Sequence, residues 1–304
     1  MKVLVTGGAG FIGSATVDLL LEEGYSVAIV DDLSTGRAAN INPRATFYKM
    51  DITRKGLEKV LRKERVDGII HIAAQPQVRR SLGDPILDAR VNILGTINLL
   101  LGCVGVERFV YASSGGAVYG EPRYLPVDEE HPVAPLSPYG LSKYVAEGYL
   151  RTLRDLPYTV LRYGNVYGPR QDPDGEAGVV AIFAGRLLRG QRPAIFGDGR
   201  QTRDFVFVGD VAKANLLALE RCKDGEILNI GSGRETSVLE VLDTIKALTG
   251  RETEPVYAPP VDGEVRRIYL AIGKARKVLG WRPTVQFRDG AARLLEHLTS
   301  RSSP

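Results

Sequence analysis

The run Lys2-Val3-Leu4-Val5-Thr6-Gly7-Gly8-Ala9-Gly10-Phe11-Ile12-Gly13 stands at the head of the chain and decides how the rest is read. Lys2 to Thr6 is a short apolar strand that runs into glycines. Phe11 to Glu23 has helical periodicity, with Leu19, Leu20 and Leu21 among its apolar residues, and Gly24 stops it. Glycines at positions 7, 10 and 13 serve separate ends. A tight turn needs backbone angles that a Cβ forbids. The backbone must come close to a pyrophosphate, and the helix start must pack on the strand with its free N–H groups aimed at the anion. Glycine turns between strand and helix are common, so the context matters: strand before, helix after, and an acidic residue closing the second strand. That residue is Asp31, about twenty residues beyond Gly13. A carboxylate there accepts both hydroxyls of an adenosine ribose and repels a 2′-phosphate, which favours NAD over NADP. Arg37 in the next loop works against that preference, and a solvated strand end is the bland reading of Asp31-Asp32.

Outward from this turn the strand–helix alternation continues. Strands are expected at Ser26 to Val30, Thr46 to Lys49, Gly68 to Ile72, Phe109 to Ala112 and Thr159 to Arg162. Helices are expected at Arg54 to Glu64, Ile86 to Leu101 and Pro138 to Arg154, the last with a proline at its start. Repeated βα units imply an α/β fold with a doubly wound parallel sheet covered on both faces. After Asn165 the texture changes to Gly, Pro and Asp clusters, followed by helices at 179–189, 208–220 and 238–249 and an amphipathic helix at 287–298. We expect a dinucleotide-binding domain over 1–165, rejoined by parts of 205–231 through a strand at Leu228 to Ile230. The remainder of 166–304 is expected to form a smaller C-terminal substrate-binding lobe.

Composition narrows the class. The 304 residues are 44% hydrophobic and 25% charged, as in ordinary globular proteins. The net charge of +4 comes from dispersed basic residues, which argues against nucleic acid as a partner. No apolar run approaches bilayer length, so no membrane association is expected. The N-terminus shows no leader, and the two cysteines, Cys103 and Cys222, imply no disulfide framework; a cytoplasmic enzyme fits. Three scattered histidines make a metal site unexpected. His71 reads as a strand-end or core residue, His131 and His297 as surface residues.

Tyr139 and Lys143 stand four apart on one expected helix, so their side chains share a face. A free tyrosine, with a pKa near ~10, is a poor base at neutral pH. A nearby ammonium, joined by a cationic nicotinamide, favours the phenolate. Ser113 and Ser114 end the preceding strand and can supply a hydroxyl to a substrate oxygen.

Together Gly7 to Gly13, Ala73-Ala74, Asn92, Ser113-Ser114 and Tyr139-Gly140-Leu141-Ser142-Lys143 resemble the extended short-chain dehydrogenase/reductases. Val118-Tyr119-Gly120, Ser137-Pro138-Tyr139, the run from Arg162 to Pro169 and Arg203-Asp204-Phe205 narrow the resemblance to the nucleotide-sugar enzymes of that family, most like its 4-epimerases, over nearly the whole chain. The resemblance implies a Rossmann-type sheet, bound NAD, and C4 epimerisation of UDP-glucose and UDP-galactose through a transient 4-keto sugar. It implies that Gly7, Gly10, Phe11, Ile12 and Gly13 hold the pyrophosphate. Asp31, Asp32, Ser34, Thr35 and Gly36 would hold the adenosine ribose side, with Asp51 and Ile52 at the adenine. Ala73, Ala74, Gln75, Asn92, Ser113, Tyr163 and Val166 would line the nicotinamide side, with Lys143 also on its ribose. Ser114, Tyr139 and Lys143 would be catalytic. Asn165, Val179, Phe196, Arg203 and Glu264 would meet the UDP-sugar, with Ser81 a further sugar contact. A homodimer pairing Ile86 to Leu101 and Pro138 to Arg154 with their mates is implied too.

Three departures stand out. Spacing back from Tyr139 lands on Ser114, whereas aligning on Val118-Tyr119-Gly120 lands on Gly115. Val261-Asp262 precedes Gly263-Glu264 where the family often has an arginine for the diphosphate, leaving Arg266 or Arg267 as substitutes. The position that tunes tolerance of N-acetyl sugars is Ile268, neither bulky aromatic nor very small. Rival activities share the fold. A 4,6-dehydratase is disfavoured, because Gly115-Gly116 replaces its acidic pair. A UDP-glucuronate epimerase or decarboxylase, or a net oxidoreductase, remains an alternative. A non-catalytic NAD-binding regulator would have lost Tyr139 or Lys143.

Overall fold

The computed structural model describes residues 1–300 apart from 154–155, 176–177, 222–223 and 261–264. Glu264 and Cys222 therefore lie outside the described residues. Six strands, β1 (Lys2–Thr6), β2 (Ser26–Asp31), β3 (Thr46–Lys49), β4 (Gly68–His71), β5 (Arg108–Ser114) and β6 (Tyr158–Tyr163), join the later strand Glu226–Ile230 in one sheet. Every pairing in it is parallel, and from one edge the order is β3, β2, β1, β4, β5, β6 and Glu226–Ile230. Successive strands are added outward from β1 in one direction up to β3 and in the other from β4 on, so the crevice beyond the carboxyl ends of β1 and β4 is where such a fold binds ligands.

Both faces of the sheet are covered, which is why β1, β4 and β6 read as continuous apolar runs rather than alternating ones. On one face Val3, Val5 and Ile29 pack with Val17 and Leu20 of α1 (Phe11–Glu22) and with Val211, Leu216 and Leu219 of the helix Val208–Arg221. On the other, past the short helices α3 (Val78–Gly83) and α4 (Pro85–Ala89), Leu4, Ile69 and Phe109 meet α2 (Leu57–Glu64), α5 (Gly95–Gly102) and α6 (Pro138–Leu153) through Leu57, Leu61, Leu99, Ala146 and Leu150. Residues after 205 thus complete the main sheet and its cover. A further core of Phe183, Ile195, Phe205, Phe207, Val241, Ile245 and Leu294 gathers the elements after 165, which we take as the second lobe. Three short pairings brace that lobe: Asn165–Tyr167 with Phe205–Phe207, Ala194–Phe196 with Val256–Ala258, and Thr202–Arg203 with Thr236–Ser237. Strands of two or three residues are too short for a readable periodicity in the sequence.

Two expectations need correction. The helix expected from Ile86 to Leu101 is α4 (Pro85–Ala89), one π-helical stretch (Arg90–Leu94), and α5. The widened turn lets Asn92 reach sideways: its amide nitrogen donates to the Gln75 carbonyl at 3.0 Å and its oxygen accepts from the Gln75 N–H at 2.9 Å. His131 is not a surface residue but 3% exposed. Its Nε2 accepts the Arg123 N–H at 2.9 Å and its Nδ1 faces the Pro132 carbonyl at 2.7 Å, so local backbone groups replace water.

Candidate active site

The loop between β1 and α1 is shaped by contact distances. Gly7 has φ +73°, and a Cβ built there would meet the Ala73 nitrogen at 2.7 Å. At Gly13 a Cβ would fall 1.9 Å from the Gly7 carbonyl oxygen, so the first helical turn lies directly on the strand end. Helix α1 begins at Gly10 with no side-chain cap and no acidic residue in its first turn. Its leading N–H groups are therefore left for an anion outside the helix, and the glycines leave a diphosphate room to approach.

Asp31 ends β2 beside this turn. One carboxylate oxygen accepts the Ala9 N–H at 3.0 Å and the other the Leu33 N–H at 2.8 Å. A Cβ on Gly36 would press on the same carboxylate at 2.8 Å, so the loop from Leu33 to Gly36 is folded around it. Burial pushes its pKa up, while the two N–H donors hold it down. Asp32 is exposed and caps the Ser34 N–H at 2.8 Å, leaving Ser34 and Thr35 at the surface of this loop. The Arg37 guanidinium is turned onto Asp172 at 3.0 Å, a surface pair that draws its charge toward that carboxylate. Asp51 folds back on the Thr53 N–H at 2.8 Å, and Ile52 is buried against Gly95 of α5.

Past β4, Ala73 and Ala74 lead into a buried amide network. Gln75 and Asn92 both donate to one oxygen of Asp88, at 3.0 and 2.9 Å. Asp88 is fully buried in α4, one turn before Asn92, and was not singled out in the sequence. Ser81 is buried as well. It donates to the Val78 carbonyl at 2.6 Å and accepts the Tyr139 N–H at 3.2 Å, so its hydroxyl fixes the start of α6 and keeps one acceptor lone pair.

Tyr139 and Lys143 share one face of α6, and Glu147 continues it a turn later. The half-buried Ser114 at the end of β5 faces the Tyr139 phenol closely enough to hold its pKa down. Its neighbour Ser113 points through the opposite face of the strand and donates to Glu147 Oε1 at 2.5 Å. Gly115 offers no hydroxyl, and a Cβ there would strike Leu270 at 2.7 Å. Of the two positions left open by spacing, only Ser114 presents an oxygen to the phenol. The buried Lys143 ammonium donates to the Ala112 carbonyl at 2.8 Å and lies 5.0 Å over the Tyr111 ring. Burial lowers it to about 8, against the fields of Asp88 and Glu147.

The protein groups around Tyr139 do not by themselves acidify it. Burial is the larger effect and pushes the phenol up to about 12; the Ser114 hydrogen bond opposes it and the Asp88 charge adds to it. Acidification has to come from a further positive charge brought to the site.

The remaining residues ring this centre. Tyr163 is buried with its hydroxyl on Asn215 Oδ1 at 2.6 Å, and its carbonyl accepts the Gly115 N–H at 2.8 Å, so what it turns toward the strand-end loop is backbone. Val166 packs between the two lobes' cores. The Asn165 amide oxygen faces Gly116, 3.3 Å from where a Cβ would stand. Val179 begins the helix Val179–Leu188 after Gly178 at φ +104°. Phe196 is exposed, with the Arg79 guanidinium 4.4 Å over its ring, so Arg79 faces the second lobe's edge rather than solvent alone. Arg203 donates to the Thr202 carbonyl at 2.8 Å. Arg266 is bidentate on Asp198 at 2.8 Å and Arg267 on Glu235 at 2.7 and 2.8 Å, so both substitutes for a diphosphate arginine are engaged with carboxylates. Glu147 and Asp88 are the residues the sequence reading missed. Their signal was helical spacing: Glu147 follows Lys143 by one turn and Asp88 precedes Asn92 by one.

An uncapped helix behind a glycine turn, a carboxylate at the second strand end and a Tyr–Lys–Ser cluster at the switch point define an NAD-linked enzyme of Rossmann type. Residues 3–231 match the family model described as NAD dependent epimerase/dehydratase family. The chain belongs to that family. A UDP-glucose 4-epimerase of Mycolicibacterium smegmatis is 45% identical over 312 residues, covering 99% of this chain and 100% of that one. The crystal structure of Thermotoga maritima UDP-glucose 4-epimerase with UDP-glucose superposes with a TM-score of 0.97 at 47% identity, covering 99% of each chain. That of the Thermus thermophilus UDP-glucose 4-epimerase with NAD gives 0.95 at 44%, covering 100% of each. No helix among the described residues is long and apolar enough to cross a membrane.

Proposed function

We propose that the protein interconverts UDP-glucose and UDP-galactose by inverting C4 through a transient 4-keto sugar. The observation that carries this reading is the grouping of Tyr139 and the buried Lys143 on one helix, α6, with Ser114 at the end of β5 beside them. NAD fits the residues present, since the glycine cradle is closed to any Cβ and Asp31 is held with acceptor capacity to spare. When bound, oxidised NAD supplies the two-electron acceptor for the C4 hydrogen and the positive charge that favours a phenolate. The chain does the rest. Gly7, Gly10, Phe11, Ile12 and Gly13 bind the diphosphate by backbone N–H groups. Asp31 orients the ribose, and Gln75 and Asn92 stiffen the nicotinamide side. Tyr139 takes the proton of the sugar 4-hydroxyl and later returns it; Ser114 donates to the same oxygen and holds it in line. Asn165, Val179, Phe196 and Arg203 grip the nucleotide while the sugar turns over. Because proton and hydrogen both come back, no net redox occurs.

The absence of side chains at Gly115 and Gly116 favours epimerisation over dehydration, since an acid at Gly115 would collide with Leu270. The exposed apolar line along α4, the π stretch and α6 supports a homodimer: Ile86 is 71% exposed, Leu94 57% and Leu141 52%. A cytoplasmic site suits a two-cysteine chain running NAD-linked chemistry.

The test is to incubate the protein with UDP-galactose and, separately, UDP-glucuronate, following product and NADH absorbance. Epimer without accumulated NADH is expected from UDP-galactose, and stoichiometric NADH would instead mark an oxidoreductase. Y139F should lower turnover at least ~10²-fold; unchanged turnover would remove Tyr139 from the mechanism. Sedimentation of wild type against L141E checks the dimer, with the monomer expected only for the variant.

A further inference from the structure

Asp204 lies between the short strand Thr202–Arg203 and the strand Phe205–Phe207 and is 1% exposed. Its carboxylate accepts four hydrogen bonds, each from an uncharged donor. Oδ1 takes the Ser232 N–H at 2.5 Å and the Ser232 hydroxyl at 2.7 Å; Oδ2 takes the N–H groups of Gly233 and Leu270, both at 3.1 Å. Burial favours the neutral acid, but a proton on either oxygen would have to face one of these donors, so the group is held ionised. Gly231 leaves it room, since a Cβ there would strike the carboxylate.

Two arms run from Asp204 to the turn that follows Ser114. Through its carboxylate it holds the Leu270 N–H, and the Leu270 side chain stands 2.7 Å from where a Cβ on Gly115 would be. Through its carbonyl it accepts the Asn165 N–H at 2.6 Å, and the Asn165 amide oxygen borders Gly116, 3.3 Å from where a Cβ would stand. The inner side of the turn hangs from β6, where the Tyr163 carbonyl accepts the N–H groups of Gly115 and Gly116 at 2.8 and 3.3 Å. Two glycines in succession give a turn little stiffness of its own, so its place is imposed by what borders it.

We propose that Asp204 is a positioning residue: it fixes the Gly115-Gly116 turn from the second-lobe side and so holds the Ser114 hydroxyl against Tyr139 and the sugar oxygen between them. Without its carboxylate the Leu270 arm loses its anchor, and the turn can move away from β6 with Ser114 following. The inference deepens the epimerase reading and rests on it for the effect on turnover, but the placement of Ser114 against Tyr139 can be read without any sugar.

The test is a double-mutant cycle in the full-length protein: wild type, D204A, S114A and the double variant. With UDP-galactose, D204A should lower kcat about 10-fold where Ser114 is present and less than about 3-fold where it is already gone, because the two losses act through one hydroxyl. Bound NAD per subunit should be retained. Equal losses in both backgrounds are what a purely structural role gives, and they overturn the proposal; so does an unchanged kcat. The second reading uses no sugar. With oxidised NAD bound, the Tyr139 phenolate midpoint should rise in D204A as it does in S114A, and no further in the double variant. An unmoved midpoint in D204A overturns the proposal. Should D204A fail to fold, D204N leaves one oxygen in place; a smaller loss with the same dependence on Ser114 is expected, and none would overturn the proposal. A phenol shift in D204A beside a wild type that epimerises nothing would sink the epimerase reading and leave this inference standing.

Discussion

The Arg162 guanidinium at the end of β6 grips the Glu147 carboxylate of α6 through two hydrogen bonds, with both side chains almost wholly removed from solvent. Arg162 also lies 4.9 Å over the Tyr119 ring, and Ser113 shares the carboxylate. This pair clamps α6 to the strand end and so sets Tyr139 against Ser114. E147Q should destabilise the protein by ~3 kcal/mol, because it strands a buried cation. Replacing both residues by leucine and methionine should cost less than either single change, as judged by denaturant unfolding of the four proteins. A double variant less stable than both singles would contradict this.

Adjacent serines on opposite faces of one strand should separate chemistry from stability. S114A is expected to lower kcat by roughly 10²-fold with little change in KM, since the hydroxyl acts on an oxygen whose charge develops during reaction. S113A should leave kcat within a few-fold and lower the melting temperature, having removed a donor from Glu147. Reversed results would exchange the two roles.

In protein stripped of cofactor, the Tyr139 phenol should titrate near about 12. Oxidised NAD should bring it below its ordinary value of ~10, and reduced NAD, lacking the positive ring, should not. The difference in phenolate absorbance between wild type and Y139F reads this directly. A midpoint indifferent to the oxidation state of the cofactor would rule out the nicotinamide charge as the cause.

His71 is held neutral at about 3 by burial, with the Lys143 charge adding to the effect. Its folded pKa lies below its unfolded value of ~6.5, so the stability it confers is complete above that pH and is lost as pH falls toward 3. The loss should amount to several kcal/mol at the acid end. Carboxylates such as Asp88 and Asp204, raised by burial, work in the opposite direction. The comparison is therefore between wild type and H71Q, which should show a shallower decline in unfolding free energy between those limits. Parallel curves would show that His71 does not contribute.

G13A should abolish NAD retention, because the added methyl would stand 1.9 Å from the Gly7 carbonyl and force the turn apart. Bound NAD per subunit after gel filtration measures it. G24A makes the contrast: nothing lies within 4 Å of a Cβ there, although φ +83° strains the backbone. It should cost ~1 kcal/mol of stability and leave NAD bound. Retention of NAD by G13A would mean that the turn yields.

Local pattern determined much of this protein. The period of apolar residues marked the strands and long helices, and the glycines with Asp31 marked the nucleotide end, because a βα turn is a contiguous segment whose chemistry is carried by neighbouring residues. The four-residue spacing of Tyr139 and Lys143 marked one helical face for the same reason. Tertiary structure alone decided which strand-end hydroxyl meets the phenol, since Ser113 and Ser114 differ only in the face of β5 they occupy. It also decided that the Ser81 hydroxyl meets the backbone of Tyr139, that the strand expected to rejoin the sheet does so beside β6, and that Asp88, Gln75 and Asn92 converge through a widened helical turn. These are contacts between segments far apart in the chain. The balance of charge at Tyr139 belongs with them: spacing predicts a helpful ammonium, but how deeply the phenol is buried, and which carboxylate faces it, follows only from how the elements pack.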